Sequence, residues 1–201
     1  DESTFNLDAG SISADSFQDP DNRSGNTITG DVALTNGSTL NLTGQLTSVD
    51  NTGNNISSNS IGGTLSADSS FINVTGHNNS VTNVTLQDFG IMSVYGEDVT
   101  NLSGQNLENS LTGAVAMNGG LLILGANFQS PDTLQNINGS NNTITNTING
   151  AITLTGGNTI AEISGANITG SGNHVNNTLT QNFDLGSGMA LQQGSQMQVN
   201  G

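Results

Sequence analysis

The sequence predicts an all-β chain, a parallel β-solenoid (β-helix) of about six to seven coils with Asn/Gly-rich corners, on three observations. The stretch from Ser24 to Gly44, S-G-N-T-I-T-G-D-V-A-L-T-N-G-S-T-L-N-L-T-G, alternates Ile28, Val32, Leu34, Leu40 and Leu42 with Thr, Asn, Ala or Asp, which is a strand period and not a helix period. Its pattern returns with variations almost to the last residue, as in repeat architectures. Composition supplies the third observation, because 32% hydrophobic and 3% aromatic residues in 201 cannot fill a thick core. Disorder would bring more charge and proline than the 8% charged residues and two prolines found here. A stack of thin coils needs few apolar residues per repeat, since each repeat leans on the backbone ladder to its neighbours.

Taken in order, residues 1–23 form an acidic N-terminal arm or first partial coil, and residues 24–201 the repeat array. The arm holds a strand around Phe5 and Leu7, an alternating piece around Ile12, and the loop F-Q-D-P-D-N-R with Pro20. Each repeat is anchored on an Asn-rich corner leading into an apolar residue: Asn26-Thr27-Ile28, Asn54-Asn55-Ile56, Asn79-Ser80-Val81, Asn109-Ser110-Leu111, Asn142-Thr143-Ile144 and Asn177-Thr178-Leu179. The anchors stand 28, 25, 30, 33 and 35 residues apart. Asn-Gly turns would serve an antiparallel sandwich of hairpins equally well. Self-similarity over the whole chain and an Asn at the same corner of every period favour stacked coils with an Asn ladder along one edge.

Alternation places Ile28, Val32, Leu34, Leu40 and Leu42 inside, with Val81, Val84, Leu86, Met92 and Val94 as their equivalents in the third unit. Leu65, Ile72 and Val74 serve in the second unit, Leu111, Val115, Met117, Leu121 and Ile123 in the fourth, and Ile144, Ile148, Ile152 and Leu154 in the fifth. Leu179, Phe183 and Leu185 follow in the last, and the Thr and Asn between these positions face water. The run G-G-L-L-I-L-G then sends Leu122 and Leu124 outward, where another part of the structure or a neighbouring subunit should cover them. The segment from Ala126 to Asn138, with Pro131, is expected to leave the coil as a loop folding back Phe128, Leu134 and Ile137.

The formal net charge is −15, with Arg23 the single basic residue, so the phosphate-neutralising surface of a nucleic-acid binder cannot be built. Six acidic residues (Asp1, Glu2, Asp8, Asp15, Asp19, Asp21) fall in the arm. No run of eighteen apolar residues is present to span a membrane as a helix. The absence of Cys removes disulfides and thiolate metal sites. An Asp at position 1 fits a processed, secreted protein. A polysaccharide-active enzyme would need clustered carboxylates, whereas Asp31, Asp88, Glu97, Asp98, Glu108, Glu162 and Asp184 are scattered, so no catalytic residue and no cofactor are expected. Calcium near Asp15, Asp19 and Asp21 is the one metal reading left open. His77 and His174, each beside an Asn-rich corner, read as exposed residues. Thr-apolar-Thr triplets at residues 27–29, 143–145, 153–155 and 178–180 suit a flat ice-binding face, but Thr is also favoured at any exposed strand position, and Ser57 and Asn83 break the row.

The units G-N-T-I-T-G-D-V-A-L and G-S-T-L-N-L-T-G resemble bacterial secreted β-solenoid proteins: filamentous-haemagglutinin-like adhesin stalks and the Asn-rich repeat subunits of biofilm functional amyloids. The resemblance implies an extracellular structural or adhesive protein. The ends of the chain sharpen this. S-T-F-N-L-D-A-G and G-S-Q-M-Q-V-N-G are copies of the half-unit G-S-T-L-N-L-T-G, with Phe5 and Leu7, or Met197 and Val199, in the places of Leu40 and Leu42. The expectation is a fibre subunit that polymerises with itself head to tail, with Phe5, Leu7, Leu122, Leu124, Met197 and Val199 as its assembly interface. An adhesin stalk or a glycan- or ice-binding module is the alternative, and an enzyme ranks behind both.

Overall fold

A computed structural model describes residues 2–14, 23–49, 56–76, 78–95, 99–103, 106–125, 135–141, 143–163, 166–169, 171–179, 183–184 and 196–199. All regular structure among them is strand. In chain order the strands are β1 (Thr4–Ala14), β2 (Arg23–Ile28), β3 (Val32–Leu34), β4 (Thr39–Val49), β5 (Ile56–Asp68) and β6 (Phe71–Thr75). There follow β7 (Asn78–Gln87), β8 (Ile91–Tyr95), β9 (Val99–Ser103), β10 (Asn106–Leu111), β11 (Val115–Leu124) and β12 (Gln135–Ser140). The last six are β13 (Thr143–Ile148), β14 (Ile152–Ile163), β15 (Ala166–Thr169), β16 (His174–Leu179), β17 (Phe183–Asp184) and β18 (Gln196–Val199). They form an open fifteen-stranded sheet and a three-stranded sheet ordered β15-β12-β9.

Every pairing among the described residues is parallel. Parallel neighbours cannot be joined by two-residue hairpins, so the sandwich alternative is excluded. The large sheet divides into three ladders. In the first, Ile28, Ile61, Val81, Leu111, Ile148 and Leu179 stand in register. In the second, Val32, Leu65, Val84, Val115, Ile152 and Phe183 do so. The third aligns Phe5, Leu40, Ile72, Met92, Leu122, Ala161 and Met197. Residues from all three ladders join one apolar cluster, which includes Ile61, Leu65, Leu86, Met92, Leu122 and Ile152. Burying one such aliphatic side chain contributes about 1.5–3 kcal/mol.

The corner between the first and third ladders is closed by asparagine. Asn26 Nδ2 donates to Asn59 Oδ1 at 2.9 Å, Asn59 to Asn79 at 2.8 Å, Asn79 to Asn109 at 2.8 Å, Asn109 to Asn146 at 2.8 Å and Asn146 to Asn177 at 3.0 Å. The same amide nitrogens reach carbonyls where the third ladder ends, Asn26 to Thr43 at 3.0 Å and Asn59 to Thr75 at 2.9 Å. An Asn ladder therefore exists, but it runs inside: Asn59 and Asn79 are 1% exposed and Asn109 and Asn146 are 0% exposed. Each Asn precedes its inward aliphatic residue by two positions, and two positions along a strand return to the same face.

The ladder revises two anchors. The second repeat is anchored by Asn59-Ser60-Ile61 and the fifth by Asn146-Thr147-Ile148, in place of Asn54-Asn55-Ile56 and Asn142-Thr143-Ile144. The spacings become 33, 20, 30, 37 and 31. Twenty residues separate successive ladder members at the shortest, from Asn59 to Asn79. Where the separation is longer, β9, β12 and β15 lie between the third-ladder strand and the next ladder Asn and stack on one another. The segment expected as a loop from Ala126 to Asn138 thus enters strand β12 at Gln135. Its earlier part, with Phe128, Pro131 and Leu134, lies outside the described residues.

Turn chemistry sets the remaining corners. Between β3 and β4, Asn36 and Gly37 take φ of 57° and 77°, and Ser38 N–H donates to Thr35 O at 3.3 Å, the tight turn that Asn-Gly supplies. Within β11, Gly119 and Gly120 take φ of 80° and 111°. A Cβ at Gly120 would also strike the Gly90 carbonyl of the neighbouring repeat. This pair resets the alternation, with consequences for the leucines that follow.

Candidate functional site

The predicted assembly residues fall into two groups. Phe5 and Leu7 lie on β1 and Met197 and Val199 on β18, and these strands are the opposite ends of the third ladder. Phe5 pairs with Leu40 and Leu7 with Leu42 at one end, and Met197 with Ala161 and Val199 with Ile163 at the other. Among the described strands β1 pairs only β4, and β18 only β14, so each keeps one open edge. Phe5 is 56% exposed. Leu7, Ile28, Val32 and Leu34 are half-buried where their register partners Leu42, Ile61, Leu65 and Ala67 are fully buried. At the far end Leu179 is 38% exposed while Ile148, its neighbour in the stack, is buried. Both end faces thus show apolar residues that an added strand would cover.

Polar side chains mark the first of these faces too. On the outer side of the third ladder, Asn73 Nδ2 donates to Asn41 Oδ1 at 2.9 Å, and Asn41 Nδ2 to Asn6 Oδ1 at 2.7 Å. This row runs opposite in sense to the buried one. It ends at Asn6, which is exposed and whose amide nitrogen has no acceptor among the described residues. The buried ladder starts at Asn26, 5% exposed, whose Oδ1 likewise has no donor among them.

Leu122 and Leu124 are a different matter and need correction. They do not face outward: both are 0% exposed and stand in the core, in register with Met92 and Val94. Leu121 and Ile123 take the outward parity instead, because Gly119 and Gly120 turn the chain just before them. Leu122 and Leu124 therefore offer no surface to a partner. Leu121 is half-buried and aligns with Phe71, Ile91 and Ile160 in an outward apolar row, while Ile123 is 2% exposed.

The acidic residues serve the frame where their contacts are seen. Asp31 Oδ1 accepts the Thr64 N–H at 2.7 Å and Asp68 Oδ1 accepts the Ser69 hydroxyl at 3.2 Å, each fixing a corner. No group of three His, Cys, Asp or Glu side chains that could hold a metal occurs among the described residues. The calcium reading at Asp15, Asp19 and Asp21 lies outside them, as do Glu97, Asp98 and His77. His174 is exposed. No helix among the described residues is long and apolar enough to cross a membrane.

On the outer face of the first ladder the register replaces Ser57 and Asn83 by Ser60 and Ser80. A row of hydroxyls, Thr27, Ser60, Ser80, Ser110, Thr147 and Thr178, then runs unbroken across the stack. Sequence reasoning missed it because it sought Thr alone; the signal was the Ser or Thr that follows every ladder Asn. The molecule so defined is a parallel all-β protein whose evident features, among the described residues, are two strands with an unpaired edge and a hydroxyl-lined face. Comparison with protein-family models, with curated proteins and with solved structures found no match.

Proposed function

We propose that the chain winds as a β-solenoid of six to seven coils and is the structural subunit of an extracellular bacterial fibre, a biofilm-matrix or surface filament built by head-to-tail stacking. The supporting observation is that the third ladder ends in β1 and β18, two strands of one pattern with complementary open edges. An exposed ladder edge recruits another strand. A heterologous contact that does not close on itself propagates as a filament. In the joint, β18 of one subunit hydrogen-bonds β1 of the next, Phe5 and Leu7 stack on Met197 and Val199, and Asn6 meets Gln198, which holds the same outward register position through Glu162. Acidic residues such as Glu2 beside this edge disfavour lateral association. The role is mechanical, without catalysis or cofactor.

Deleting residues 1–10 tests the reading. The truncated protein should keep its β-rich circular dichroism and remain monomeric by sedimentation, while the complete chain elongates under negative-stain microscopy. Filaments of normal length from the truncated protein would overturn the proposal.

A further inference from the structure

The outer face of the first ladder holds a cleft that end-to-end stacking does not use. Its volume is about 260 Å³, and Ser58 and Ser60 of β5, Asn78 and Ser80 of β7, and Glu108 and Ser110 of β10 line it. The register sets these residues in two rows, Ser58, Asn78 and Glu108 beside Ser60, Ser80 and Ser110. Three strands at a spacing of about 4.8 Å make the floor about 10 Å long. The size is close to the lower bound of about 300 Å³ for small-molecule sites, which suits one or two sugar rings.

Two features distinguish this cleft from a merely wet strand surface. Ser110 is only 7% exposed, yet its hydroxyl has no hydrogen-bond partner among the described residues. Buried polar groups are normally paired, and one left open in a cleft calls for a partner from outside. Asn78 is also pre-set: its Oδ1 accepts the Glu108 N–H at 3.1 Å, which leaves the amide hydrogens free to donate.

The chemistry of the lining selects the ligand. The described lining residues include no Lys or Arg, so phosphate, sulfate and carboxylate groups find no counter-charge among them. No aromatic ring is among the described lining residues to stack a base, and an apolar ligand would strand the hydroxyls. One carboxylate with neutral hydroxyls and an amide is too few charges for a cation site. A neutral polyol satisfies every group: serine hydroxyls both donate and accept, the Asn78 amide donates, and the Glu108 carboxylate accepts charge-assisted bonds from ligand hydroxyls.

We infer that this cleft is a binding site for a neutral saccharide, formed by Ser58, Ser60, Asn78, Ser80, Glu108 and Ser110. The site does not depend on the fibre reading, since its lining belongs to interior strands of the stack.

The test is a titration of the full chain with glucose, cellotriose, maltotriose, chitotriose and trigalacturonate, followed by calorimetry and by backbone amide shifts. Saturable binding of at least one neutral trisaccharide is expected, with shifts at residues 58–60, 78–80 and 108–110, weaker binding of glucose and none of trigalacturonate. Glu108→Gln and Ser110→Ala should each weaken it about tenfold, the loss of one good hydrogen bond. Ser110→Ala should leave the melting temperature unchanged or raise it, which separates a ligand contact from a structural one. Thr153→Ala, on the second ladder, should bind as wild type. The inference is overturned if no neutral saccharide binds saturably, if trigalacturonate binds equally well, or if both cleft variants bind like wild type.

Discussion

The asparagines of the first ladder and the leucines of the second are buried to the same depth by opposite means. Leu65 and Leu86 of the second ladder are 0% exposed, and so are Asn109 and Asn146 of the first. The leucines are inside because water rejects them. The asparagines are tolerated inside because each amide donates to the next and accepts from the one before, so no group is left unpaired. Burial of the leucines is a sum of separate contributions. Burial of the asparagines is conditional on an unbroken series, and it reaches its limit at Asn26, where the acceptor has no donor among the described residues.

That contrast can be broken by mutation. The largest effect is expected from Ile152→Asp, which puts an unpaired charge into a core too thin to rearrange. It should abolish folding in denaturant and calorimetric melts, whereas Thr153→Asp, exposed on the same strand, should change stability by no more than about 0.5 kcal/mol. Similar losses from the two would contradict the second ladder's register.

Next come the two interiors compared directly. Leu86→Ala should cost about 2–5 kcal/mol. Asn109→Ala should cost a similar amount, because it removes one ladder hydrogen bond from Asn79 Nδ2, which keeps the Gly76 carbonyl as an acceptor, and one from Asn146 Oδ1, at about 1–3 kcal/mol each. Asn177 is the last ladder member among the described residues, and Asn177→Ala removes one ladder hydrogen bond, the one from Asn146 Nδ2, so it should cost about half as much in urea titrations. If Asn109→Ala proves as mild as Asn177→Ala, the ladder is not cooperative and the amides are buried passively.

The same contrast explains what sequence reasoning reached. Apolar parity was legible wherever single apolar residues alternate with polar ones, as at Leu40 and Leu42 or Val84 and Leu86, and the equivalence of Phe5, Leu40 and Met197 was readable as a repeated half-unit. Parity was illegible in the run Leu121 to Leu124, where four consecutive apolar residues carry no alternation and two preceding glycines decide it. Asn146-Thr147-Ile148 follows Asn142-Thr143-Ile144 by four residues with the same pattern, and only stacking against Asn109 chooses between them. The inward course of the Asn ladder was missed because polarity was equated with exposure. The cleft was missed because its serines, Asn78 and Glu108 come from three repeats and are ordinary polar residues until the register aligns them.

If the third ladder carries the fibre, the axial rise per subunit records it. The third ladder has seven strands (β1, β4, β6, β8, β11, β14, β18), whereas the buried Asn ladder crosses six (β2, β5, β7, β10, β13, β16). Stacking β1 on β18 advances the fibre by seven strand spacings, about 34 Å, and leaves a step one strand deep at the other ladders. Stacking β2 on β16 would continue the Asn series instead, advance the fibre by about 29 Å and displace β1 or β18. Cryo-electron microscopy of the assembled protein should give a rise near 34 Å with unbroken strand density from β18 into β1. A rise near 29 Å, or subunits joined side by side, would rule out stacking through the third ladder.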